Sequence, residues 1–77
     1  MNFAELETVI LTRDLAEHAL RAGDLGAVVA VYEPDALEVE FVTAGGQTQA
    51  LVTLHEADVR KLAPEDMLAV RSATPAA

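Results

Sequence analysis

The stretch "LRAGDLGAVVAVYEPDALEVEFV", residues 20–42, sets two strand patterns on either side of a turn. In its second half Leu37, Val39 and Phe41 alternate with Glu38 and Glu40, the period of a strand with one buried and one wet face. In its first half, Leu25 to Glu33 is apolar on both faces and rich in β-branched residues until Pro34 stops it. "EPDA", residues 33–36, is the Pro-Asp turn between them. Gly23 can take a positive φ ahead of the first strand, and Asp24 can accept a hydrogen bond from a nearby backbone N–H. Gly26 gives the strand a place to bend or bulge as it begins. Gly23, Asp24 and Gly26 thus read as a structural turn that needs no ligand.

Working outward, "AGGQ" (44–47) is a Gly-rich turn and "TQALVTL" (48–54) resumes as a strand, so residues 37–54 predict a β-hairpin. "ELETVILT" (5–12) predicts a first strand and "DMLAVR" (66–71) a short last one. "DLAEHALRAG" (14–23) is ambiguous: Asp14 can cap a helix, Glu17 stands at the capping-box position and Gly23 can end it. About ten residues are marginal as a helix without packing, and the flanking pattern is all strand. The segment from Asp14 to Ala22 therefore reads as a long loop with at most one helical turn. A second short helical turn is expected around Glu56 to Val59, before Pro64.

These elements predict an all-β domain, a small five-stranded SH3-like barrel. It has a long loop after the first strand and a short helical turn before the last. Closing the sheet removes the free edges that an open five-stranded sheet exposes. Residues 1–71 form the domain, and "SATPAA" (72–77) is a small-residue flexible tail.

Nearly the whole chain, from Leu6 to Leu62, resembles a domain-of-unknown-function family of small, mostly bacterial SH3-like barrels. The resemblance rests on L-x-x-G-D-x-G-x-V-V-x-V-Y at 20–32, V-E-F-V at 39–42 and T-x-A-L-V-T-L at 48–54. The first and second also resemble the hairpin of KOW-type barrels, some of which touch RNA. The resemblance implies the barrel fold and transfers no activity. Ala16 and Ala19 stand where it leads one to expect Pro or Gly, which raises helix propensity there.

Composition narrows the function. A chain of 77 residues hides only about 60% of the surface its unfolded form exposes, so one small domain of modest stability is expected. Hydrophobic residues make up 52%, which excludes general disorder, but 15 of them are alanine, so Leu, Val, Ile and Phe must supply the core. The chain has no cysteine, which excludes disulfides and thiolate metal sites. The N-terminus lacks the basic and apolar regions of a signal peptide. The longest uncharged apolar run, Leu25 to Tyr32, is far short of the ~20 residues a membrane span needs. A cytoplasmic protein off the membrane is the expectation.

Thirteen acids against five bases give a formal charge of −8. That field repels phosphates, and the loop from Arg21 to Gly26 offers a nucleic acid little beyond Arg21. Catalysis finds no support. There is no cysteine nucleophile, Ser72 lies in the tail, and Thr8, Thr12, Thr43, Thr48 and Thr53 mostly sit in or beside strands. A metal site can be drawn from His55, Glu56 and Asp58, but neighbours on one turn rarely converge on an ion, and no His-spacing motif supports it. His18 and these three residues read as solvated polar groups. No cofactor is expected.

The set that stands out is Tyr32, Glu33, Asp35, Glu38 and Glu40, an acidic hairpin with one amphipathic ring beside it. It is either a wet outer face that serves solubility or a partner-binding patch. The reading taken forward is a non-catalytic, acidic protein–protein interaction module, of the accessory, antitoxin-like or immunity-like kind. Its partner would be another protein, a basic one by complementarity, with self-association as a variant. The alternative is a KOW-like nucleic-acid-binding module acting through Arg21 to Gly26.

Overall fold

The computed structural model describes residues 1–73. Five strands run in chain order: β1 (Thr8–Leu11), β2 (Leu25–Tyr32), β3 (Ala36–Val42), β4 (Thr48–His55) and β5 (Val59–Lys61). Two single 3-10 turns, Ala16–His18 and Glu56–Asp58, fall in the β1–β2 loop and between β4 and β5. All pairings are antiparallel, in one sheet of order β4-β3-β2-β1-β5. The all-β class, the loop after the first strand and the helical turn before the last are as the sequence predicts. Among the described residues, no helix is long and apolar enough to cross a membrane.

The expected closure of the barrel is not found. β4 and β5 are the two edges of the sheet, and no ladder joins them. The sheet is nevertheless curled. Edges of a flat five-stranded sheet lie about 19 Å apart. Here only Glu56–Asp58 separate them in sequence, and the four steps from His55 to Val59 reach at most about 14 Å. The curl gathers Val9, Leu11, Val28, Leu37, Val39, Phe41, Leu54 and Val59 into one core cluster that draws on all five strands. Leu15 and Leu20 close it from the long loop, linked to each other by a bridge across the 3-10 turn. Full burial of a Val or Leu here stabilises the fold by about 1.5–3 kcal/mol.

Strand patterns explain the packing. In β3, Leu37, Val39 and Phe41 are buried and Glu38 and Glu40 half-buried, the alternation read in the sequence. In β2, Gly26 and Val28 point inward, and the next inward side chain is Val31, packed on the core. That step of three marks one extra residue, and the register with β3 shifts between Val28 and Ala30. The bulge is therefore at Val29 and not at Gly26, a correction to the turn role expected for that glycine.

The last strand is also corrected. β5 is Val59–Lys61, paired with Val9–Leu11 of β1, and residues 66–71 form no strand. Asp66 accepts from the Ala63 N–H at 2.7 Å, and its own N–H donates to the Ala63 carbonyl at 3.0 Å, closing a turn just where a strand was expected. β1 is shorter than expected because Leu6 has φ +73°, which extended backbone does not allow. Of the tail expected at 72–77, only Ser72 and Ala73 lie within the described residues.

Candidate functional site

The acids of the β2–β4 sector sit on the outer face of the sheet, each held by a neighbour. Glu38 is opposite Thr53 in the register, and the Thr53 hydroxyl donates to Glu38 Oε1 at 2.6 Å. The Thr48 hydroxyl donates to Glu40 Oε2 at 2.7 Å. Both threonines belong to the outer side of β4, so the carboxylates stand fixed over the β3–β4 ladder. Asp35, in the β2–β3 turn, meets His55 Nε2 at 3.1 Å. Glu33 is exposed, with the Met1 amino group at 3.7 Å. Tyr32 ends β2 and is half exposed. The structure thus places Glu38 and Glu40 on β3, with Tyr32, Glu33 and Asp35 at its turn end.

His55 has a structural task. Its Nδ1 accepts the Ala57 N–H at 2.9 Å, while its own N–H donates to Asp58 Oδ2 at 3.1 Å, a reciprocal cap on the second 3-10 turn. With Nδ1 accepting, the ring proton is on Nε2 and is donated to Asp35. Among the described residues, no three His, Cys, Asp or Glu side chains are gathered as metal ligands. His18 lies in the first 3-10 turn, where its carbonyl accepts from Gln49 Nε2 at 3.3 Å.

The charge ledger sharpens the patch. Arg13 pairs with Asp58 at 2.9 Å, Arg60 holds Asp66 with two bonds of 3.0 Å, Lys61 meets Glu7 at 3.0 Å, and Arg71 grips Asp24. Each bond draws its carboxyl below the ordinary range. Lys61 does so for Glu7, helped by the Ala4 N–H; Arg13 for Asp58 against some burial; Arg60 for Asp66, helped by the Ala63 N–H. Burial pushes Asp24 up, but Arg71 and the Arg21 N–H outweigh it. Four of five bases are therefore spent inside the fold. Thirteen acids less those four leave nine without a Lys or Arg partner among the described residues, the β3 acids among them. No ion pair involves Arg21 among the described residues.

The Gly23–Asp24 corner has a second role that the sequence did not reveal. Gly23 has φ +98°, and Asp24 Oδ2 accepts the Arg21 N–H at 2.8 Å, the turn expected there. Asp24 also takes a two-bond grip from Arg71, Nε to Oδ1 at 2.8 Å and Nη2 to Oδ2. Arg71 Nη2 donates as well to the Ala19 carbonyl at 3.1 Å. Forty-seven residues separate the pair, and nothing in the local pattern of "LAVRSA" (68–73) signals it.

A family model matches residues 5–61, the segment that contains all five strands. The chain belongs to the DUF4926 family. Its description is a domain of unknown function, in line with the resemblance read from the sequence. The DUF4926 match ends at Lys61, the last residue of β5, so Arg71 lies beyond it and Asp24 within it. No match was found among curated proteins or among solved structures.

Proposed function

We propose that this DUF4926 chain is a non-catalytic interaction module that holds a basic partner protein against its acidic outer face. The observation that carries the reading is the division of charge. Arg13, Arg60, Lys61 and Arg71 pair with acids elsewhere, and Glu38 and Glu40 stand on the outer face held only by hydroxyls, with Asp35 against His55 and Glu33 near the Met1 amino group at the turn end. Carboxylates held by hydroxyls at 2.6 and 2.7 Å have already lost much of their side-chain freedom, which lowers the entropy cost of binding. Tyr32 adds a half-exposed ring at the turn end of the row, the residue type enriched at interface anchors.

The strand order, with a long loop after β1 and a 3-10 turn before β5, supports an SH3-like relationship. Fold likeness alone does not extend to nucleic-acid binding. That rival reading rests on Arg21, the one base without an ion pair among the described residues.

Affinity capture of the tagged chain from its host lysate, with and without nuclease, tests the proposal. A stoichiometric, nuclease-resistant basic protein is the expected result. A haul that disappears with nuclease would replace the proposal with the nucleic-acid reading.

A further inference from the structure

The chain beyond β5 is fastened in an unusual way. Residues 62–73 add no strand to the sheet, and Met67, Leu68 and Val70 are 93%, 69% and 99% exposed. Apolar burial therefore does little to hold this segment. Its polar fastenings include the turn at Ala63 and Asp66, tied to Arg60, at one end, and Arg71 at the other. Between the segment and the domain runs a groove of about 390 Å³, whose walls include Leu20, Asp24, Phe41, Val42 and Val70.

The receptor for Arg71 is built without the segment. Asp24 is fixed by the Arg21 N–H at 2.8 Å, and its backbone carbonyl accepts from Leu11 of β1 at 2.9 Å. The Gly23 N–H donates to the Leu11 carbonyl at 2.7 Å, and the Ala22 N–H to Asp14 Oδ1 at 2.9 Å. Ala19, in the left-handed region at φ +56°, contributes the carbonyl. These bonds all lie within residues 11–24. Two carboxylate oxygens and a carbonyl facing one guanidinium make the planar, forked geometry that selects arginine over lysine.

We infer that the cradle of Asp24 and the Ala19 carbonyl is an arginine-binding site for a basic partner, with Arg71 its internal, displaceable occupant. The inference rests on the proposed basic-protein partner and places one of that partner's arginines. The segment carrying Arg71 lies outside the family match, and its apolar side chains Met67, Leu68 and Val70 are exposed, so the Arg71 bonds hold it with little apolar burial beside them. A partner arginine must outcompete an internal one present at an effective concentration of millimolar order. The strap therefore sets a threshold of affinity that weak basic ligands do not pass.

The test uses the full chain, isotope-labelled for NMR, and a blocked octapeptide of residues 66–73, DMLAVRSA. The Arg71→Ala chain should give saturable shifts at the amides of Ala19 and Arg21 to Asp24. The native chain should bind the same peptide about tenfold more weakly, because its own Arg71 competes. A peptide with Gln in place of Arg should give no saturable shift with either chain. Equal responses to the Arg and Gln peptides, or no saturation with Arg71→Ala, would overturn the inference. Because no partner is present, failure here with successful capture of a basic protein removes this site alone. Peptide binding without a basic partner in the capture experiment removes the proposed function and leaves the cradle a purely internal clasp, which also overturns the inference.

Discussion

Gly26 lies directly against β3: a β-carbon there would stand 2.6 Å from Val39 Cγ1 and 2.9 Å from Phe41 Cε1. Two inward side chains of β3 thus occupy the space that any other residue would need. Gly26→Ala should destabilise the domain by about 1–3 kcal/mol, the usual cost of overpacking, and Gly26→Val by more. Gly23 is the contrast, with open space around it and φ +98°. Gly23→Ala should cost only the left-handed penalty of about 1–2 kcal/mol. Urea denaturation midpoints of the three variants check both values, and equal stability of Gly26→Val and the native chain would refute the close packing.

Acid should loosen the fold through four carboxyls. Glu7, Asp24, Asp58 and Asp66 are all held below their ordinary values in the folded chain. When unfolded they take up protons near pH 4, so around and below that pH the unfolded chain binds more protons than the folded one. Their contribution is fully present above the unfolded value and is lost as pH falls through the folded ones. Thermal melts should show Tm level near neutrality and dropping below about pH 4. A Tm unchanged down to about pH 3 would mean these bonds do not bear on stability.

His55 should matter to stability as a cap. His55→Ala removes the acceptor for the Ala57 N–H and the Asp35 contact, and should cost about 1 kcal/mol. His55→Asn, which can still accept that N–H, should recover part of the loss. Chemical denaturation of both variants measures the difference, and equal losses would remove the cap from the account.

Neutralising the β3 acids should leave the fold standing. In Glu38→Gln and Glu40→Gln an amide oxygen still accepts from Thr53 and Thr48, so each change should stay within about 0.5 kcal/mol. A loss beyond about 2 kcal/mol in calorimetric melts would make these acids structural and weaken their assignment to recognition.

The sequence is most legible where burial alternates. Leu37, Val39 and Phe41 against Glu38 and Glu40, and the Gly-rich turn after Thr43, give β3, the hairpin and the outward acids directly. β5 is hidden because Val59–Lys61 buries only Val59 and carries two bases, while "DMLAVR" imitates a strand although its first residue, Asp66, closes the turn that begins at Ala63. The bulge escapes notice since every residue from Ala27 to Val31 is apolar and any one could be the extra. The candidate site divides in the same way. Charge is visible as composition, whereas the pairing of Arg71 with Asp24 depends on where an irregular segment returns in space. The His55 cap is a side-chain geometry, and a lone histidine before Glu56 does not announce it.

The measurement that bears most directly on the account is calorimetric titration of the captured partner. The native chain and the Glu33→Gln, Asp35→Asn, Glu38→Gln, Glu40→Gln variant would be compared at low and high salt. Tight binding by the native chain that weakens with salt, and a variant that binds at least tenfold more weakly at low salt while keeping its fold, is the predicted result. Equal affinities for the two chains at low salt would contradict the account, because the outer row of acids would then play no part in recognition.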